Sequence, residues 1–237
     1  IKIFQKKLEI MKIRTALILC AGYGKRLQPI TNDTPKPLLN VKNINLLDNT
    51  LKFVKSLGIN KIKINTFYLG DQIKNFIEKK KYSLDIDIIH DGKKILDTGG
   101  GIYNLIKNSE EEDFLTLNPD TLWNSNYINT FLKMENLYFK KKIKNLLMVV
   151  KKNRSFDTRF KGDFNLNGNK LSKDIKNEFI YTGCQILNKQ IFKQNHNNIF
   201  SISKTWNYLL ERQELYGLEF KNDFVHLTDI EIFNKLN

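Results

Sequence analysis

The chain has 237 residues, of which 39 are Lys or Arg and 25 are Asp or Glu, giving a formal net charge of +14. Its hydrophobic fraction of 41% supports a buried core, and one domain is the expectation at this length. Two cysteines are too few for a disulfide framework, and no apolar run approaches the roughly 20 residues that span a membrane, which favours a cytoplasmic protein without a membrane partner. The lysines are dispersed along the chain, so we expect a solvated surface that attracts anions rather than a nucleic-acid interface.

The first part of the chain alternates apolar strand patterns with amphipathic helix patterns. Residues 1–12 are interpreted as an extension. The predicted order is strand 13–20, helix 45–58, strand 61–67, helix 70–81, strand 84–90, helix 98–108, strand 114–120 and strand 145–152. Strands that alternate with helices predict βαβ units and a mainly parallel sheet.

After residue 151 the pattern changes to a mixture of strands and helices. It predicts a hairpin over 162–172 around Asn167 and Gly168, a strand 179–187, a helix 202–213, two late strands 215–220 and 222–227, and a final helix 229–236. No linker separates the two parts. We therefore predict a single domain with an α/β half over 13–151 and an α+β elaboration over 152–237.

The loop that follows the first strand combines glycines, basic residues and prolines. Gly22 and Gly24 allow backbone N–H groups to approach anionic oxygens, and Arg26 and Lys36 supply positive charge. No P-loop pattern is present, and Leu27 replaces the third glycine of a dinucleotide-binding fingerprint. Three prolines also exclude a helix directly after the glycines. The segment is therefore predicted to be a long irregular loop that binds phosphate.

The segment AGYGKRLQPITNDTPKPLLNV resembles the signature of the sugar-1-phosphate nucleotidylyltransferases. The resemblance continues through TGGGI and LNPD, and more weakly through GDF and YTGCQIL, and is closest to the short bacterial N-acetylmuramate-1-phosphate uridylyltransferases. It implies an α/β fold with a Rossmann-like mixed, mainly parallel sheet and a smaller α+β sugar-binding elaboration. It also implies transfer of a nucleotidyl group, most simply from UTP, to a sugar 1-phosphate, with release of pyrophosphate.

The resemblance assigns roles to individual residues. Arg26 would hold the leaving phosphates, Lys36 would contact the α-phosphate, and Asp120, which ends a predicted strand, would hold Mg²⁺. An Asp at this position could instead cap the next helix. The implied nucleotide-binding residues are Ala21, Gly22, Gly24, Lys36, Asn65, Asp97, Thr98, Gly99 and Asn118, and the implied sugar-phosphate-binding residues are Asp163, Thr182 and Gly183.

One residue departs from the family pattern. His226 stands where a second metal-binding aspartate is usual in this family. It could bind the metal directly, or it could lie outside direct contact and leave Asp120, water and phosphates to hold Mg²⁺, and we favour the second arrangement. With an ordinary pKa of about 6.5, His226 would gain charge in mildly acid solution.

Other functions stay open at this point. The chain could be a nucleotidylyltransferase for a hexose 1-phosphate or phosphocholine, or a nucleotide-sugar-binding regulatory protein that has lost catalysis. For the favoured function the expected partners are a nucleoside triphosphate and a sugar 1-phosphate. The sequence leaves the acceptor, the base and the oligomeric state undetermined.

Overall fold

A computed structural model of the chain describes residues 12–193 and 197–237. The proposed N-terminal extension therefore lies almost entirely outside the described residues. The main element is a nine-stranded sheet with the order β5-β4-β1-β6-β10-β7-β11-β9-β8. Neighbours β5, β4, β1 and β6 are parallel, as are β7 and β11, whereas β10 runs antiparallel to both β6 and β7. The mixed, mainly parallel sheet confirms the predicted fold class.

The strands and helices alternate along the first part of the chain. The strands are β1 (Thr15–Leu19), β2 (Asn40–Val41), β3 (Ile44–Asn45), β4 (Lys61–Thr66), β5 (Asp85–His90), β6 (Asp113–Leu117), β7 (Asn145–Lys151), β8 (Asn165–Asn167), β9 (Lys170–Ser172), β10 (Phe179–Asn188) and β11 (Tyr216–Phe220). The α-helices are α1 (Leu46–Ser56), α2 (Gly70–Lys80), α3 (Asp97–Ile106), α4 (Asn126–Lys140), α5 (Ile202–Glu211) and α6 (Ile230–Leu236). Within the two described ranges, none of the helices has the length and apolar character that crossing a membrane requires.

The alternation of side chains along β1 explains the two apolar layers. Ala16 and Ile18 belong to one buried cluster, which includes residues of α1, α2 and α4, and Leu17 belongs to a second cluster with residues of α3 and α5. Successive residues of a strand point to opposite faces of the sheet. A strand that is apolar at every position is therefore buried on both faces, as predicted for this segment.

The second half of the chain contributes to the centre of the sheet. Strand β10 lies between β6 and β7, so Cys184 pairs with Leu117 on one side and Gln185 pairs with Leu147 on the other. The pairing with β7 shifts register between Tyr181 and Gln185. This bulge lies beside the end of β6, where the cavity described below opens.

The structure differs from the sequence-based expectation in several details, and the predicted strand 114–120 ends at Leu117, three residues before Asp120. Helix α4 was not predicted, although its buried residues Tyr127, Phe131, Met134 and Tyr138 follow helical spacing. The segment 222–227 forms only isolated bridges rather than a strand, because its pairing partners are short irregular segments. The hairpin turn lies one position later than expected, at residues 168–169, since Asn167 pairs with Lys170.

Candidate active site

A cavity of about 390 Å³ opens at the carboxyl ends of β1 and β6. Ligands of open α/β sheets bind at this edge. Most of the predicted residues line the cavity, and they come from four separate segments of the chain. Its walls include Ala21, Gly22, Gly24, Arg26, Lys36, Asn65, Asp97, Thr98, Asn118 and Asp120.

The segment around Gly22 and Gly24, called the glycine loop, packs directly against the later part of the same connection, which contains Pro35 and Pro37. Gly24 has a φ of 65°, a left-handed conformation that favours glycine, and a Cβ at this position would lie 2.9 Å from Thr31 Cγ2 and 3.3 Å from Lys36 Cβ. The Thr31 hydroxyl donates a hydrogen bond to the Gly24 carbonyl oxygen at 2.9 Å. This close packing holds Lys36 beside the glycine loop, at the wall of the cavity.

Lys36 and Asp120 form an ion pair within the cavity. The Lys36 Nζ lies 2.5 Å from Asp120 Oδ2, and the two side chains are 15% and 18% exposed. Burial favours a raised pKa for Asp120, but the neighbouring His226 imidazole and Lys36 ammonium lower this pKa to about 2. Asp120 is therefore ionised at neutral pH. The carboxylate and the ammonium group therefore both carry charge at the cavity wall.

Burial also sets the charge of His226. It lowers the pKa of His226 to about 4, against the opposing charge of Asp120. Burial therefore favours the neutral imidazole in mildly acid solution, in contrast to the expectation that the ring gains charge near pH 6.5. Its Nδ1 lies 3.5 Å from Asp120 Oδ1.

The donor set around Asp120 fits a hard divalent cation that is bound mainly through phosphate and water. Asp120 Oδ1 is buried and makes no hydrogen bond within the described part of the chain. No group of three or more His, Cys, Asp or Glu side chains among residues 12–193 and 197–237 could hold a metal on its own. Mg²⁺ commonly takes one or two carboxylates and completes its octahedron with water and substrate phosphates.

At the side of the cavity near α3, both polar atoms of the Asn65 side chain form hydrogen bonds within the protein. Its Oδ1 accepts a hydrogen bond from the Cys20 backbone N–H at 3.0 Å, and its Nδ2 donates to both carboxylate oxygens of Asp91 at 3.2 and 3.3 Å. Burial raises the pKa of Asp91. Asn65 therefore holds the start of the glycine loop. Asp91 was not predicted, although its position just after β5 places an acid at a strand end.

Thr98 and Gly99 connect the cavity to the segment before α5. The Thr98 hydroxyl oxygen accepts a hydrogen bond from the Ile202 backbone N–H at 3.0 Å. Gly99 does not line the cavity. Its Cα packs against Phe200, and a Cβ at this position would lie 2.3 Å from the Phe200 ring. Thr98 is thus a wall residue, whereas Gly99 allows close packing behind the wall.

The predicted sugar-phosphate residues do not line the cavity. The Thr182 hydroxyl donates to the Met148 carbonyl oxygen at 3.0 Å, and the Asp163 carboxylate accepts from the Tyr181 backbone N–H at 2.8 Å. Gly183 has a φ of 88° and lies close to Asn118. The Asn118 backbone N–H donates a hydrogen bond to the Gly183 carbonyl oxygen at 2.9 Å. These contacts shape the bulge of β10, and a sugar role for the three residues stays a prediction.

Other wall residues were not predicted. Ile95, Pro119 and Thr228 also line the cavity. Pro119 lies within the LNPD motif and could have been included with its neighbours. Thr228 comes from the far end of the sequence, and only the pairing of 120–122 with 225–227 brings it to the site.

A model of the family described as nucleotidyl transferase matches residues 15–158, which is more than half of the chain. The chain belongs to this nucleotidyl transferase family. The matched range contains the glycine loop, Lys36 and Asp120. The resemblance inferred from the loop sequence is therefore confirmed, and the protein is a nucleotidyltransferase.

Several curated relatives are similar to this nucleotidyltransferase. An N-acetylmuramate alpha-1-phosphate uridylyltransferase of Caulobacter vibrioides is 24% identical over 223 residues, covering 91% of this chain and 92% of the relative. One of the same description from Neisseria meningitidis is 34% identical over 117 residues, covering 49% of this chain and 51% of the relative. A CTP:phosphoglutamine cytidylyltransferase of Campylobacter jejuni is 44% identical over 64 residues, covering 27% of this chain and 25% of the relative.

Solved structures share the fold. The inositol-1-phosphate CTP transferase from T. maritima superposes with a TM-score of 0.74 at 16% identity, over 94% of this chain and 96% of that one. A UDP-glucose pyrophosphorylase complexed with UDP-glucose gives a TM-score of 0.74 at 18% identity, over 94% and 97%. These neighbours share the architecture of this chain.

Proposed function

We propose that the protein transfers a uridylyl group from UTP to an amino-sugar 1-phosphate, and that N-acetylmuramate 1-phosphate is the acceptor. The single observation that supports this acceptor is the likeness to the Caulobacter vibrioides uridylyltransferase, which extends over 91% of this chain and 92% of the relative. Such an activity would belong to cell-wall recycling. The acceptor is chosen by residues around the cavity, so the proposal needs a direct substrate test.

The proposed reaction is an in-line substitution at phosphorus. An oxygen of the sugar phosphate forms a bond to the α-phosphorus of the nucleotide, and the bond to the β-phosphate oxygen breaks, so that pyrophosphate leaves. This chemistry depends mainly on positioning and charge neutralisation. The glycine loop would surround the triphosphate with backbone N–H groups, and Arg26, which is exposed at the cavity wall, would neutralise the leaving phosphates.

Lys36 would act at the reacting phosphate. Its backbone is held between Pro35 and Pro37 and against Gly24, and its ammonium group pairs with Asp120 inside the cavity. A preorganised charge at the position where negative charge develops stabilises the transition state. Asp120 would hold Mg²⁺ through Oδ1, which makes no hydrogen bond within residues 12–193 and 197–237 and has the His226 ring beside it. When bound there, Mg²⁺ would supply neutralising charge to the phosphate oxygens.

A second function is cytidylyl transfer to a phosphate that is not a sugar 1-phosphate. The short match at 44% identity to the Campylobacter jejuni cytidylyltransferase supports it. That match covers about a quarter of each chain, whereas the uridylyltransferase match covers nearly all of both. We therefore prefer uridylyl transfer.

The test is a screen of pyrophosphate release with UTP, CTP, dTTP and GTP against N-acetylmuramate 1-phosphate, other hexose and amino-sugar 1-phosphates, and phosphocholine. The Lys36→Ala protein, purified identically, controls for contaminating enzymes. We expect UTP with N-acetylmuramate 1-phosphate to give the highest kcat/KM. A preference for CTP with a non-sugar phosphate would support the second function. No release in any combination, together with tight nucleotide-sugar binding, would indicate a regulatory protein.

A further inference from the structure

His226 is held opposite Thr121 by backbone pairing. The Leu122 N–H donates to the Val225 carbonyl oxygen at 2.9 Å, and the Leu227 N–H donates to the Asp120 carbonyl oxygen at 2.8 Å. Thr121 and His226 thereby form an antiparallel bridge. The imidazole ring packs against Phe224, with ring centroids 5.8 Å apart and an interplanar angle of 19°. The position of the ring is therefore determined by residues outside the cavity.

The oxygens around His226 Nδ1 can only accept hydrogen bonds. The Thr121 hydroxyl donates its proton to the Thr182 carbonyl oxygen at 2.8 Å, which leaves only its lone pairs for Nδ1, 3.3 Å away. The other neighbour, Asp120 Oδ1 at 3.5 Å, belongs to a carboxylate whose second oxygen pairs with the Lys36 ammonium group. A neutral imidazole carries one proton, on either Nδ1 or Nε2. Two acceptors facing Nδ1 require that the proton is on Nδ1.

We propose that His226 is a positioning residue, which uses its Nδ1–H to hold Thr121 and orient the Asp120 carboxylate, and that this nitrogen does not bind the metal. A nitrogen that carries a proton has no lone pair for a cation. The inference rests on the proposed role of Asp120 in holding Mg²⁺. Through Nδ1 the histidine would thus support the Asp120 carboxylate rather than bind the cation itself.

His90 provides an internal reference with the opposite tautomer. Its Nδ1 accepts a hydrogen bond from the Gly92 backbone N–H at 3.0 Å, so the proton of its neutral ring must be on Nε2. The chain contains three histidines in all, which keeps the spectrum of labelled imidazoles simple. The two rings can therefore be distinguished in one measurement.

The first test is nitrogen NMR of protein labelled with ¹⁵N-histidine at pH 8, with signals assigned by the loss of one set in His226→Asn and of another in His90→Asn. We expect the Nδ1–H tautomer for His226 and the Nε2–H tautomer for His90. The His226 pattern should persist when Mg²⁺ and inorganic triphosphate are added. An unprotonated Nδ1 at His226, or a change of its tautomer on adding the metal, would overturn the proposal.

The second test measures Mn²⁺ binding in the presence of inorganic triphosphate by electron paramagnetic resonance. The amide nitrogen of His226→Asn can occupy the position of Nδ1 and donate in its place, whereas that of His226→Gln reaches the position of Nε2. We expect His226→Ala and His226→Gln to weaken Mn²⁺ binding about 10-fold, as loss of a residue supporting a ligand does, and His226→Asn to restore most of it. Restoration by Gln instead of Asn, or unchanged binding in His226→Ala, would refute the positioning role.

Neither measurement needs turnover or a particular base. A protein that fails the substrate screen can still show the Nδ1–H tautomer, and its His226→Asn variant can still bind Mn²⁺ nearly as well as the parent. Conversely, an active uridylyltransferase can fail both tests. The two proposals can therefore be judged separately.

Discussion

At the scale of single residues, the candidate site depends on opposite charges held close together in a partly buried cavity. Lys36 contacts Asp120 directly, and the neutral ring of His226 lies against the same carboxylate. In such surroundings a charge acts on a bound phosphate more strongly than it would in water. Loss of one charged group should therefore reduce the rate far more than it reduces folding stability.

Lys36→Ala and Arg26→Ala should each fold normally and lose roughly 100-fold in kcat/KM, which corresponds to about 3 kcal/mol of transition-state stabilisation. The measurement is steady-state pyrophosphate release with the best substrate pair. Lys79→Ala, which removes an exposed lysine of α2, serves as the matched control and should keep the parent rate. Near-parent turnover in both site variants would place the chemistry elsewhere.

Asp120→Asn should almost abolish activity, because the amide lacks the negative charge that would hold Mg²⁺. Parent activity should also disappear on chelation with EDTA and return with added Mg²⁺. Both are measured as pyrophosphate release across a Mg²⁺ titration. Turnover that continues without any divalent metal would contradict the role given to Asp120.

At the scale of elements, α3 is placed by the glycines of its first turns. A Cβ at Gly99 would meet the ring of Phe200, one at Gly100 would lie 2.2 Å from the Asn198 carbonyl oxygen, and one at Gly101 would lie 2.6 Å from Asn65 Nδ2. The three glycines thus let α3 approach three different neighbours. This packing places Thr98 at the cavity wall.

Gly100→Ala tests this packing, because two effects oppose each other. Alanine favours an α-helix over glycine by about 1 kcal/mol. Its methyl group would, however, clash with a backbone oxygen that cannot rotate away. We expect the clash to dominate, with a net loss of about 2 kcal/mol in the free energy of unfolding, measured by urea denaturation.

Gly22→Ala is the matched control for Gly100→Ala, since a Cβ at position 22 meets no atom within 4 Å. Its unfolding free energy should stay within about 0.5 kcal/mol of the parent. Equal stability of the two variants would show that α3 can move away from Asn198 at little cost.

At the scale of the whole molecule, the last helix supports the loop that follows β1. Helix α6 contributes Ile232 and Leu236 to an apolar cluster that also contains Leu27 of the glycine loop. Arg159 connects the start of α6 to the loop after β7, because it pairs with Asp157 and Asp229, each at 2.8 Å. The segment that carries His226 and Thr228 lies directly before Asp229, which Arg159 binds.

Asp157→Asn should lower the unfolding free energy at pH 7 by about 2 kcal/mol, since it removes charge-assisted hydrogen bonds from a carboxylate that is only 3% exposed. Hydrogen bonds from Arg159 hold the pKa of Asp157 well below its usual range. A carboxyl whose pKa is lowered by folding contributes stability above its unfolded pKa of about 3.9, and this contribution is lost as the pH falls further.

The difference between parent and Asp157→Asn should therefore be constant from pH 7 to about 5 and shrink below pH 4. Urea denaturation at several pH values measures it. The control is Asp223→Asn, which removes a carboxylate that is 90% exposed and lies 3.9 Å from Arg154. We expect a change of less than about 0.5 kcal/mol there. A pH-independent difference for Asp157→Asn would mean that its charge does not stabilise the fold.

The sequence by itself determined the strands that carry the candidate site and the irregular loop that is predicted to bind phosphate. A strand such as β1 is apolar at every position, so its burial on both faces follows from local composition. Gly24 and the prolines around Lys36 restrict the backbone locally, and their positions were therefore informative without any long-range contact. The apolar residues of helix α4 also follow helical spacing, but its aromatic residues have only intermediate helix propensity. Burial of its apolar face, rather than propensity, therefore stabilises this helix.

The tertiary structure alone decided which distant residues meet. Strand β10 enters between β6 and β7, and the pairing of 120–122 with 225–227 brings His226 to Asp120 and Thr228 to the cavity wall. The charge state of His226 likewise follows from burial, which no local pattern specifies. Periodicity and turn chemistry report on neighbours along the chain, whereas strand order, burial and the environment of a side chain depend on contacts between segments about a hundred residues apart.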